Sequence, residues 1–462
     1  MKNRIKKHPL KLLLTTIVFI TMVLSLSLTA PAAVRPTDVS TPSPGNALVQ
    51  IPGEFARADV AAILKQVNSY RKEACQNGYP NPNSPSHKLT AADYSEVKWS
   101  GDLEWIAQTR AAEGAVLQDH TRPNGESCFS IQHNGVRSSA ETLAWNYGSL
   151  SGGITQWYEE KEDWVRQNPY AVTGHYEAMI NPSLKYIGIG CFTSKADAWS
   201  CVAGAYSSAS NLSSAPQGLY GTHTQVMEVP ANRVVMRGPS SIAIGKTASY
   251  ASLAVLFPGI MGGTVTTPAL PSGTPSYTSS NTAVASITSA GYLSAKGLGS
   301  TTITMTCPDG TVLKKVVTVT KPAKGTVFSS GGARYKVTNP AGELAYVKNT
   351  AGGSNVLIPN EVRFSGFTYR VTSIADNAFK NNKTLKSVTI PANVASIGQK
   401  AFYNCKKLKT LTIQSLKLKS SKVGSKSFAK TGIKKVKVPK ARKKACKKWL
   451  YKKGIAKKAK IK

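Results

Sequence analysis

The stretches SIADNAFKNNKTLKSVTIPANVA (373–395) and SIGQKAFYNCKKLKTLTIQSLKL (396–418) are two copies of one unit laid end to end. Ile374 and Ile397, Phe379 and Phe402, Leu385 and Leu408, Val388 and Leu411, and Ile390 and Ile413 are each 23 residues apart. A unit this short cannot bury its apolar side chains alone, so the repeat predicts a solenoid whose core is shared between neighbours. A looser copy follows at Phe428, Ile433, Val436 and Val438. Three copies are few, and residues 325–369 are expected to form a β-rich cap in front of them.

Charge is concentrated in the same region. Residues 401–462 hold 23 Lys and Arg and no Asp or Glu, out of 59 Lys+Arg, 23 Asp+Glu and a net charge of +36 for the whole chain. Such a segment is either a solvated repeat face or a surface for an anionic partner. At 462 residues the chain is too long for one compact core, so several domains are expected. At the other end, Lys2, Arg4, Lys6, Lys7 and Lys11 precede an apolar run over 12–28 and the small residues Ala30-Pro31-Ala32-Ala33. That order predicts a secretory signal peptide over 1–33, cut near Ala32 or Ala33, with a retained membrane anchor as the alternative.

Export has consequences for the rest of the reading. It removes intracellular nucleic acid as a partner and leaves anionic cell-wall polymers or a host surface for the basic repeats. With no C-terminal apolar anchor or sorting signal, attachment is expected to be non-covalent, and no span remains in the membrane after signal cleavage. An oxidising compartment also makes the seven cysteines candidate disulfide partners. Cys191 and Cys201, between two apolar runs, are expected to bridge adjacent strands, and Cys75 with Cys128 is a second candidate pair. Cys307, Cys405 and Cys446 lie one per segment and read as buried thiols.

Between the termini, residues 34–54 are rich in Pro, Ser and Thr and read as a mobile linker. In 55–210, helix spacing marks Val60, Ile63, Leu64 and Val67, then Leu103, Ile106, Ala107 and Ala111, then Ile154, Trp157, Lys161 and Trp164. Residues 211–232 read as a second linker. From 233 to 321 short alternating runs such as Ala283-Val284-Ala285-Ser286-Ile287 and Thr301-Thr302-Ile303-Thr304-Met305 predict a β-sandwich.

Three resemblances fit this division. The repeat pattern Ile-x3-Ala-Phe followed by Leu-x2-Val-x-Ile-Pro, with Ala378-Phe379, Ile390-Pro391 and Ala401-Phe402, resembles the BspA-like leucine-rich repeat of bacterial surface proteins, over 325–462 with a basic C-terminal cap. Ser279-Ser280-Asn281, Val284-Ala285, Gly291, Leu293-Ser294-Ala295 and Gly299 resemble the group-two bacterial immunoglobulin-like domain, a spacer or adhesion module. Residues 55–210 resemble the CAP superfamily of cysteine-rich secretory, antigen 5 and pathogenesis-related proteins. The motifs are Val67-Asn68-x2-Arg71, a His after the second helix, Ala140-Glu141-Thr142-Leu143-Ala144, Trp157-Tyr158-Glu159-Glu160, Gly174-His175-Tyr176, and the Ile187–Cys191 run with a partner ending at Cys201. The expected fold is therefore multidomain: an α-β-α sandwich, an all-β immunoglobulin-like sandwich, then a short leucine-rich-repeat solenoid.

By the CAP resemblance the site residues are His120, Glu141, Glu160 and His175, converging in an open groove. The residues themselves place His120 just after a helix, Glu141 at the start of an apolar helical segment, and His175 before a strand-like run. On a helix Glu160 falls within about 60° of Trp157 and Trp164, and a carboxylate beside two tryptophans needs a partner. Two imidazoles across a groove suit zinc or another divalent cation with water completing the shell, each glutamate orienting a ring. A polar network that merely shapes the groove is the alternative, and His133 reads as a loop residue. Glu177, Ala178 and Asn181 depart from the family pattern after Gly174-His175-Tyr176, and no Ser or Cys sits in a nucleophile motif. The leading expectation is a non-enzymatic binding protein taking a small apolar, lipid or peptide ligand. A metal-dependent secreted hydrolase and an adhesin acting through its repeats are the alternatives.

Overall fold

The computed structural model describes residues 33–146, 148–195, 200–216, 219–259 and 262–462. The expected signal peptide lies outside them except for Ala33. Contacts divide the chain into two compact units: residues up to 237 with 251–276 and 306–313, and residues 238–250, 277–305 and 314–462. Among the described residues no helix is long and apolar enough to cross a membrane.

The first unit is built on strands β1 (Ala33–Arg35), β2 (Asn46–Phe55), β3 (Ala140–Asn146), β4 (Tyr186–Ser194), β5 (Ser200–Ser207) and β6 (Gly221–Pro230). Along the sheet β3 pairs with β5, β5 with β4 and β4 with the end of β2, all antiparallel. Helix α1 (Val60–Gln76), α3 (Leu150–Glu159), the short α4 (Lys161–Val165) and α5 (Gly174–Ile180) contribute Ile63, Val67, Ile154, Trp157, Trp164, Tyr176 and Met179 to one core layer. That layer meets Ile187, Ile189, Cys191, Val202 and Tyr206 on the sheet. Helix α2 (Gly101–Gly114), buried at every residue, covers the other face. The run Ile187-Gly188-Ile189-Gly190 explains how. A Cβ on Gly188 would stand 2.0 Å from the Glu104 amide nitrogen, and one on Gly190 2.5 Å from Gln108 Cα. Alternation thus sends isoleucines to one layer and bare backbone to the other.

Several expectations are corrected here. The first expected linker contains β2, which pairs with β6 along all ten residues, and β1, which pairs parallel with β6. Arg35, in that arm, is buried between Phe55 and Trp105 and donates to Thr109 Oγ1, Gln225 Oε1 and the Trp105 carbonyl. The second expected linker contains β6 itself. Composition hid these strands because their partners lie more than 130 residues away in the chain. Glu141 lies on a strand, not a helix, and His175 on a helix, not before a strand. The helix expected through Trp164 is interrupted at Glu160, between α3 and α4.

All seven cysteines are free and buried. Cys191 is opposite Val202 and Cys201 opposite Phe192, so the two thiols project from opposite faces of the sheet. Cys201 Sγ faces Gly114 of α2, whereas Cys191 belongs to the α1–α3–α5 layer. No bridge can form between them in this register. Cys75 and Cys128 are likewise unbridged.

The expected sandwich over 233–321 is divided. Val234–Met236, Leu253–Pro258 and Thr264–Pro271 join the sheet of the first unit, the last pairing with β2. The remaining strands form a four-stranded sheet (Ser241–Ala243, Val312–Thr320, Gly299–Thr306, Ser276–Ser279) and a three-stranded one (Thr247–Ser249, Tyr292–Ala295, Ala285–Ile287).

In the second unit the repeats stack as parallel rungs β7 (Ser387–Ile390), β8 (Thr410–Ile413), β9 (Lys435–Lys437) and β10 (Lys460–Ile461). Val388, Leu411 and Val436 are in direct register and buried. Phe379, Phe402 and Phe428 stack at 4.9 and 5.4 Å, continued by Tyr346 at 5.3 Å from Phe379. The segment in front of them is β-rich, as expected, with Glu343–Asn349 and Phe367–Ile374 pairing in parallel. Helix α6 (Lys443–Lys452) closes the far end through Cys446, Trp449 and Leu450.

Candidate functional site

Glu141 stands opposite Ala205 on β3 and so shares the α2 face of the sheet. Arg110 of α2 meets it there, donating from Nε to Oε1 at 2.5 Å and from Nη2 to Oε2 at 3.4 Å. The same guanidinium donates to Glu113 at 2.7 Å and to the carbonyls of Asp119 and His120. It therefore orients the carboxylate and also fixes the backbone that presents His120. His120 Nδ1 lies 2.7 Å from Glu141 Oε2. The His120 side chain is 53% exposed and that of Glu141 4%.

Behind Arg110, a chain of charges continues. Glu113 accepts from Arg122, and Arg122 donates to both oxygens of Asp38 in the N-terminal arm at 2.9 and 2.7 Å. Burial pushes the Glu141 carboxyl up, but the His120 and Arg110 hydrogen bonds outweigh it and hold the group below the usual carboxylate range.

The second pair arrives from the other layer. Glu160, between α3 and α4, accepts from His175 Nδ1 at 2.5 Å through Oε1. Its Oε2 accepts from the amides of His175 and Tyr176 at 3.0 and 3.1 Å. The partner that the helix arithmetic demanded is thus the start of α5. The His120 and His175 rings stack with centroids 5.6 Å apart, so the four residues named from the sequence converge.

A carboxylate only accepts hydrogen bonds, so in each neutral imidazole the proton sits on Nδ1 and the Nε2 lone pair is left over. That is the tautomer a metal ligand needs. Among the described residues no group of three or more His, Cys, Asp and Glu is placed to hold a metal ion. The donors offered here are two imidazole nitrogens, so a metal held by them would take its remaining ligands from water or a bound molecule.

Other candidates fall elsewhere. His133 lies in a loop, stacked on Trp105 at 4.3 Å, where burial, ahead of the opposing pull of Asp102, lowers its pKa. Glu177 accepts from Thr173, and Asn181 donates to Asn83, so the residues that depart from the family pattern serve local structure. Arg110, Arg122 and Asp38 escaped the sequence reading. A signal existed for Arg110, since an arginine amid the apolar positions of a helix must find acceptors.

Comparison with known proteins agrees with both halves of this architecture. Residues 64–203 match the model of the Cysteine-rich secretory protein family, CAP. Residues 361–457 match the BspA type Leucine rich repeat region, in six copies where the sequence arithmetic found three. The chain thus carries a CAP domain and BspA-type leucine-rich repeats. It is similar to a scoloptoxin from Scolopendra dehaani, 28% identical over 204 residues, 41% of this chain and 82% of the relative. It is also similar to Venom allergen 5 2 from Polybia paulista, 23% identical over 28% of this chain and 62% of the relative. Among solved structures, a leucine rich cell surface protein from Faecalibacterium prausnitzii shares 28% identity with a TM-score of 0.22, covering 27% of this chain and 35% of that one. The chain therefore spans about a third of that structure and under two thirds of the venom allergen.

Proposed function

We propose that this is a secreted, surface-associated bacterial binding protein whose CAP groove binds a divalent cation through His120 and His175. The cation in turn helps to hold a small apolar, lipid or peptide ligand. The carrying observation is the pair of Nδ1–glutamate hydrogen bonds, which leaves two Nε2 lone pairs on rings 5.6 Å apart. Glu141 and Glu160 orient the rings, and Arg110 keeps Glu141 ionised. Zinc fits these donors, and when bound it would supply a Lewis-acid contact for a carbonyl or carboxylate of the ligand.

Binding is favoured over hydrolysis because both carboxylates are occupied. Glu160 accepts three hydrogen bonds and Glu141 is held by His120 and Arg110, so neither is left as an unengaged base. The two small sheets formed by strands between 241 and 320 serve, in this reading, as a spacer. The basic repeats attach the protein to anionic wall polymers or a host surface.

Calorimetric titration with zinc tests the site. The wild-type chain is expected to bind one equivalent, and H120A/H175A none. Equal binding by both would remove the proposed metal site. Turnover of a peptide panel abolished by E160Q would replace binding with hydrolysis.

A further inference from the structure

We infer that the last rungs of the repeat ladder form a defined seat for a linear, ring-free phosphate polymer of the polyol-phosphate kind. This rests on the surface attachment proposed above and assigns it to particular residues.

The rungs change character along the sheet. Ser387, Thr410, Lys435 and Lys460 are successive direct partners, as are Thr389, Thr412 and Lys437. Hydroxyls on β7 and β8 thus give way to ammonium groups on β9 and β10, on strands about 4.8 Å apart. Just ahead of the rungs Lys386, Lys409 and Lys434 form a further exposed column, with Lys409 N donating to the Lys386 carbonyl at 2.8 Å and Lys434 N to that of Lys409 at 2.9 Å. Like charges at neighbouring positions repel. No Asp or Glu in 401–462 offsets them.

Three of these lysines, with Lys458, also frame a concavity. Lys409, Lys434, Lys458 and Lys460 line a cavity of about 630 Å³ with Thr431 and Gly432. A Cβ on Gly432 would lie 2.3 Å from the Lys406 carbonyl and 2.8 Å from Lys409 Nζ, so glycine keeps the floor open beneath that amine.

The chemistry of the lining selects the occupant. Single-stranded nucleic acid is bound without sequence preference through aromatic side chains on which its bases stack, yet the lining has none, and Phe402, Phe428 and Trp449 are buried in the core. Of the 23 basic residues in 401–462, only Arg442 is an arginine. Lysine binds phosphate as a compact point charge from any direction, without the fixed bidentate fork that arginine presents to phosphate or carboxylate, and so suits a chain whose phosphates rotate freely. Hydroxyl-bearing rungs beside the lysines suit a polymer that alternates polyol and phosphate.

The test titrates the full-length chain with synthetic poly(glycerol phosphate) at several salt concentrations. Two charge-matched variants are compared: K409Q/K434Q/K458Q/K460Q at the cavity, and K443Q/K444Q/K447Q/K448Q on α6. The cavity variant is expected to lose tenfold or more in affinity, with the log–log salt slope falling by about 2–3, since each phosphate no longer neutralised accounts for about 0.7. The α6 variant should stay within threefold with its slope unchanged. As a variant of the rungs themselves, K435T/K437T gives β9 the threonines of β8 and should lose at least threefold. Equal losses from the cavity and α6 variants would overturn the defined seat and leave only diffuse charge. Single-stranded DNA of matched charge binding as tightly through the same four lysines would also overturn it. No salt-dependent binding by the parent chain would overturn the attachment reading itself.

Discussion

Arg110 bridges Glu113 and Glu141 inside a layer where neither carboxylate reaches bulk water, and it reaches the carbonyl of His120 as well. Removing either partner of such an arrangement leaves a buried charge uncompensated, so the placing of His120 and Glu141 depends on a cation buried behind them. The depressed pKa of Glu141 has a sign that can be checked. Because its folded-state value lies below the unfolded one, the stabilisation is present above the usual carboxylate pKa and is lost as pH falls through the folded value. Urea unfolding of the wild type should therefore show stability declining below about pH 4.5, while E141Q, less stable at pH 7, should lose that part of the acid slope. An unchanged slope in E141Q would mean that other carboxylates govern acid unfolding.

Elements here are positioned by what is missing as much as by what is present. The glycines of β4 let α2 lie directly on the strand backbone, which sets the height of Arg110 over the sheet. G188A is expected to cost about 1–3 kcal/mol or more, since the added methyl would meet the Glu104 amide nitrogen at 2.0 Å. Chemical denaturation of the first unit, followed by tryptophan fluorescence, reads that loss. Helices α1 and α2 were legible from apolar spacing, and the repeat rungs from their 23-residue period. Strand β3 was not. Thr142, Leu143 and Ala144 are all buried because both faces of β3 are covered, and a strand covered on both faces loses the alternation that distinguishes it from a helix. Helix α5 spans seven residues, and its start is tied down by the Glu160 carboxylate, a contact that local periodicity cannot register.

At the scale of the molecule, the N-terminal arm is part of the first unit. Deleting residues 33–39 removes the hydrogen bonds of Arg35 and the Asp38–Arg122 pair. The expected loss is about 3 kcal/mol, or a melting temperature lower by about 6–12 °C by calorimetry. A passive linker would leave the melt unchanged. The sequence alone determined the stacked repeats and the concentration of basic charge, because period and charge are local properties, whereas the two histidines and two glutamates were legible only through the resemblance to the CAP superfamily. Only the tertiary structure decided that the proline-rich arm contains strands, that Cys191 and Cys201 face opposite layers, and that Arg110, Arg122 and Asp38 stand behind Glu141. Each of these depends on register or contact between segments distant in the chain, and neither composition nor spacing encodes which residues a strand will meet.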